Sequence, residues 1–142
     1  MSKPTVSSCS KLLRIGRYLK GQPRLVWRYT LQIQPKFLDA YSDANWAACR
    51  RSRKSTSGGA ICLGEHTVKT YCKQQKVIAL SSAEAELYAM VAASAEALAI
   101  AAYARDLGLE VACEMYCDSA AALGMINRAG MEKVLRRAVD HV

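Results

Sequence analysis

Histidine occurs only twice in this chain of 142 residues, at His66 and His141, and the six cysteines include no CxxC pair. That disfavours the usual zinc frameworks, which need Cys and His ligands at close spacing. No secretory leader is evident either. Cys9, Cys49, Cys62, Cys72, Cys113 and Cys117 are therefore expected to be reduced thiols of a soluble, intracellular protein, in cytoplasm or nucleus. Cys113 and Cys117 lie four residues apart in an apolar run and read as packing positions on one strand face rather than as metal ligands.

Acidic side chains are scarce as well. Twelve Asp and Glu stand against 20 Lys and Arg, a formal net charge of +8 that suits a polyanionic partner such as nucleic acid. Internal repeats and low-complexity tracts are lacking, which leaves a globular domain as the simplest organisation. Only residues 87–104 are uncharged enough to be mistaken for a membrane span, and Glu96 sits near their middle while alanine supplies much of their apolar character. They read as a core helix, with no membrane partner and no small-molecule cofactor expected.

The residues that are abundant suffice for a core: 51% of the chain is apolar. Residues 1–33 read as an N-terminal tail and connecting segment. It has a frayed start over 1–8, a basic amphipathic helix over 12–19, a stop at Gly21-Gln22-Pro23, and a strand over 25–31. Residues 34–142 read as the main domain. Alternation predicts a strand over 37–43 ending at Asp43, followed by hairpin arms at 60–63 and 67–72 around Gly64-Glu65-His66. A long helix then opens at Ser81 and closes at Gly108, a strand over 111–117 runs into Asp118, and a short helix covers 119–127. This order predicts an α/β fold. Three antiparallel strands and a helical crossover to a parallel fourth make a mixed sheet flanked by helices.

Three carboxylates fall at telling places in that scheme. Asp43 and Asp118 each end a predicted strand, and neighbouring parallel strands would bring both to one sheet edge. Ser81 and Glu84 form a capping box at the helix start, in which the Ser side chain and the Glu side chain satisfy each other's backbone amides. Glu86 lies about 200° round the helix from Glu84, above the stripe of Ala89, Met90, Ala93 and Ala97. A carboxylate over a packed stripe needs a partner, and a cation is one. An all-oxygen site poor in histidine suits two Mg²⁺ or Mn²⁺ ions rather than zinc. Separately, Arg50, Arg51, Arg53, Lys54 and Ser55 open a basic loop that closes on a Ser/Thr/Gly cluster, which reads as either a solvated loop or a phosphate cradle.

The motifs Tyr41-Ser42-Asp43-Ala44-Asn45-Trp46, Arg53-Lys54-Ser55-Thr56-Ser57-Gly58, Leu80-Ser81-Ser82-Ala83-Glu84-Ala85-Glu86 and Tyr116-Cys117-Asp118-Ser119-Ala120-Ala121 resemble, in order, those of the ribonuclease H domain of copia-type LTR retrotransposon polyproteins. Leu13-Arg14-Ile15-Gly16-Arg17-Tyr18-Leu19-Lys20-Gly21 resembles the segment joining it to the reverse transcriptase. The resemblance implies a ribonuclease H-like fold, two-metal hydrolysis of the RNA strand of an RNA–DNA hybrid, and a reverse transcriptase domain as partner in the same polyprotein. It assigns Asp43, Glu86 and Asp118 to three of the family's four metal-binding carboxylates. The fourth position aligns with Ala138, with Arg136 where a His is expected, and Asp140 stands two residues late as a substitute. Family members continue into a closing helix, so the C-terminal element is expected to be incomplete. The alternative reading is a decayed remnant that keeps the fold and at most binds nucleic acid.

Overall fold

Alternation in strand β1 (Phe37–Asn45) sets the centre of the molecule: Leu38, Ala40 and Ser42 are buried, while Tyr41 and Asp43 face out. A computed structural model describes residues 5–24 and 26–128 of this chain. They divide into two compact units, Met1–Thr30 and Leu31–Val142.

In the smaller unit, helix α1 (Val6–Gly21) starts earlier than the frayed terminus predicted, because the Thr5 hydroxyl accepts from the Ser8 N–H at 3.1 Å and caps it. No residue of α1 is buried. The strand expected over 25–31 is not formed by its described residues, 26–31. Local β preference is not sufficient for a strand, which needs pairing for its backbone hydrogen bonds.

In the larger unit, β2 (Thr56–Leu63) and β3 (His66–Gln74) form a hairpin that turns at Gly64, whose φ of 60° is the left-handed conformation glycine adopts freely. The Gln32 side chain clips this turn, donating to Leu63 O at 2.9 Å and accepting from the Glu65 N–H at 3.0 Å. Both arms are longer than predicted, and β2 absorbs the Ser/Thr/Gly cluster that the sequence placed in the basic loop. The sheet is completed by β4 (Ala112–Tyr116) and has the order β3-β2-β1-β4. β1 pairs antiparallel with β2 and parallel with β4. The mixed four-stranded α/β sheet expected from the element order is therefore present, consistent with a ribonuclease H-like fold.

The parallel step requires a crossover, and helix α2 (Ser82–Asp106) supplies it. Ala85, Ala89, Met90, Ala93 and Ala97 are its buried stripe, and the small side chains let the helix lie close to Leu38, Ala40, Ile61 and Met115. Helix α3 (Ala120–Arg128) adds Ala122 and Ile126 to the same cluster. α2 is long and apolar enough by composition to cross a membrane, yet its alanine stripe is packed against the sheet. It ends as predicted at Gly108, where φ is 80° and the N–H groups of Gly108 and Leu109 return to the carbonyls of Arg105 and Ala104.

Candidate metal centre

Parallel pairing of β1 with β4 runs from Phe37 opposite Ala112 to Tyr41 opposite Tyr116, whose rings stack with centroids 4.9 Å apart. Two residues beyond that last pair stand Asp43 and Asp118, both exposed at the same sheet edge. The crossover geometry then delivers the start of α2 to this edge. The Ser81 hydroxyl accepts from the Glu84 N–H at 3.1 Å, as the capping box predicts. The return limb differs, since Glu84 Oε2 accepts from the Leu80 N–H at 2.7 Å rather than from Ser81. Glu84 also accepts from the Tyr88 hydroxyl at 3.1 Å, so its carboxylate is occupied locally.

Glu86, on another face, is held differently. Its Oε1 accepts from the N–H of Ala44, on the strand that carries Asp43, at 3.1 Å. Its Oε2 is buried without a hydrogen-bond partner among the described residues. Burial raises the Glu86 pKa above the ordinary carboxylate value; the Ala44 bond opposes this, while the charges of Asp43 and Asp118 add to it. One ligand atom each from Glu86, Cys117 and Asp118 lies within 4.8 Å of the others. Asp43 is outside that tight group but close enough for its charge to act on Glu86. The orphaned carboxylate oxygen among acidic neighbours fits a divalent cation, which would satisfy the oxygen and offset the repulsion.

Cys117 corrects the expectation of an all-oxygen wall. Its Sγ accepts from the Ser119 N–H at 3.4 Å, and burial pushes the thiol pKa up. Its apolar surroundings gave a packing reading; only its place directly before Asp118 could have signalled its nearness to the acids.

The basic loop leaves the same end of β1. Arg50, Arg51 and Arg53 are exposed and Lys54 is half-buried. Ser55 is a correction to the phosphate-binding set: it is 0% exposed, and its hydroxyl accepts from the Ala47 N–H at 3.0 Å, closing the loop from inside. Trp46 is 45% exposed and donates its indole N–H to Ala79 O at 3.0 Å, so it is a half-open tether rather than core. The Cys49 thiol, passed over in the sequence, is lowered to about 7 by hydrogen bonds from the Ser52 side chain and from the Ser52 and Arg51 amides. Asp140, with Arg136 and Ala138, lies outside the described residues.

No family model matches the chain, and no solved structure matches it. Curated relatives do. The chain is 35% identical over 128 residues to the retrovirus-related Pol polyprotein from transposon RE1 of Arabidopsis thaliana, a match covering 86% of this chain and 8% of the polyprotein. It is 32% identical over 89 residues to the Pol polyprotein from transposon TNT 1-94 of Nicotiana tabacum, covering 62% of this chain and 7% of that protein. It is also 36% identical over 97 residues to the secreted RxLR effector protein 161 of Plasmopara viticola, covering 68% of each. With its fold and acidic edge in place, the chain is a homologue of the retrovirus-related Pol polyproteins of copia-type transposons, about 35% identical over most of its own length.

Proposed function

We propose that this chain is the ribonuclease H-type part of a copia-type Pol polyprotein and hydrolyses the RNA strand of RNA–DNA hybrids. The observation that carries the reading is the buried Oε2 of Glu86, unpartnered among the described residues, set beside Asp118 and within the electrostatic reach of Asp43. Asp43, Glu86 and Asp118 would hold Mg²⁺ or Mn²⁺, with Asp140 the candidate fourth acid. When bound, two such ions supply activation of a water and neutralisation of charge on the scissile phosphate. The chain's own residues do the rest. The Ala44 amide holds Glu86, and the parallel register carries the chain toward Asp43 and Asp118 at the same end of the sheet. Arg50, Arg51, Arg53 and Lys54 grip phosphates of a duplex whose 2′-hydroxyls, present on one strand only, mark the RNA. Cleavage leaves a 3′-hydroxyl and a 5′-phosphate. A reverse transcriptase domain of the same polyprotein is the expected partner, in a soluble intracellular setting.

A second reading is a remnant that keeps the fold and binds nucleic acid without cleaving it; Ala138, where the fourth acid aligns, favours it. A Mg²⁺-dependent assay on a hybrid labelled in its RNA strand separates the two. The nuclease reading expects cleavage by the wild type and its loss in Asp43→Asn. Equal inertness of both proteins, with hybrid binding retained, decides for the remnant.

A further inference from the structure

Gln75 follows β3 and is 8% exposed. Its backbone N–H donates to Ser55 O at 2.8 Å, and its side-chain nitrogen donates to Ser57 Oγ at 2.8 Å and to Ala85 O at 2.9 Å. Its own Oε1 is buried with no hydrogen-bond partner among the described residues. Leaving a buried carbonyl unpaired is unfavourable, and an apolar side chain of the same length would avoid it. Its own oxygen therefore does not account for an amide at this position.

The two bonds of the amide suggest what does. Ser57 is the register partner of Ala44 on β1. Ala44 donates its N–H to Glu86. Glu86 follows Ala85, whose carbonyl returns to Gln75. The contacts form a closed ring through β3's end, β2, β1 and the first turns of α2, with the orphaned Glu86 oxygen at one point of it. The Ala85 carbonyl already lies within the helix, so the Gln75 amide adds a second, external constraint on that turn's height and rotation.

We infer that Gln75 is a positioning residue: its side-chain amide, bridging Ser57 and Ala85, locks the first turns of α2 against the strands so that Glu86 is aimed at the ion-binding edge. The inference rests on the divalent-ion reading of that edge. Orientation by a neighbouring hydrogen bond governs ion affinity because a misaimed ligand loses binding even when the fold is intact.

Mn²⁺ binding to the full chain, measured by titration calorimetry alongside thermal unfolding, tests it. Gln75→Leu is expected to weaken Mn²⁺ binding by about 10–100-fold. Ser57→Ala, which removes the strand end of the same bridge, is expected to weaken Mn²⁺ binding in the same sense, by at least about threefold. A purely structural role predicts the opposite: both variants lose thermal stability and neither changes Mn²⁺ affinity while folded, and that result overturns the inference. Should Gln75→Leu not fold, the wild type carries the test through amide NMR. The Gln75 side-chain NH₂ signals are expected to shift during a Mg²⁺ titration with the same midpoint as the Ala44 N–H. Movement of Ala44 with a stationary Gln75 overturns the inference alone, whereas a wild type that binds neither ion overturns the divalent-ion reading and the inference with it.

Discussion

The Ala44 N–H donates to Glu86 Oε1 at 3.1 Å, tying the residue after Asp43 to a carboxylate on a helix that starts 38 positions later, at Ser82. A glutamine at position 86 could keep that bond and carry no charge. Glu86→Gln is therefore expected to lower Mn²⁺ affinity at least about tenfold while raising stability in the presence of chelator. The sign follows from the direction of the shift. Burial first, then Asp43 and Asp118, raise the folded pKa, so the Glu86 contribution is full below its unfolded value of 4.5 and is lost as pH rises through the folded value. Urea midpoints between about pH 4 and pH 7 should fall more for wild type than for Glu86→Gln. Parallel pH profiles for the two proteins would refute this.

Gly59 stands under the Tyr71 ring. A Cβ there would meet Cε1 and Cζ at 2.5 Å, whereas one at Gly58 would meet only Asp43 O and Tyr71 O at 4.0 Å. Tyr71 packs against the core and has little freedom to move aside. Gly59→Ala is expected to destabilise by about 1–3 kcal/mol, and Gly58→Ala to be neutral or stabilising by up to about 1 kcal/mol. Denaturant midpoints with unchanged slope check both, and equal effects would count against the packing described.

Arg53 adopts φ of 56°, a conformation that strains a side chain but not glycine. Arg53→Gly is thus expected to stabilise the chain by about 1 kcal/mol while weakening hybrid binding. If Arg53 grips a phosphate, the slope of log affinity against log salt drops by about 1. Fluorescence anisotropy over a salt series reads that slope, and an unaltered value removes Arg53 from the contact set.

Much of this architecture was legible because it rests on short-range periodicity. The alternation from Phe37 to Asp43 gave the central strand, and the rotation between Glu84 and Glu86 gave two carboxylates with different hydrogen-bond partners. The parallel order of β1 and β4 put Asp43 and Asp118 at one end of the sheet. What stayed hidden depends on partners distant in sequence. Ser57 and Gly58 look like loop residues until Ala44 and Asp43 pair with them as strand neighbours. Ser55 resembles a phosphate-contacting hydroxyl until the Ala47 amide claims it. Gln75, between Gln74 and Lys76, has the look of a solvated position, and only Ala85 and Ser57 reveal otherwise. The run at 26–31 failed in the opposite sense: local preference was present, and no strand formed over those residues.

The parallel register of β1 and β4 bears on which length changes the chain can absorb. Side chains along a strand alternate with a phase of two, so one codon gained or lost between Ala112 and Tyr116 would swing Asp118 to the wrong side. Indels in the reverse bend over residues 107–111 leave that phase untouched. The acidic edge is thus insulated from drift in the bend ahead of β4 but exposed to drift within the strand itself.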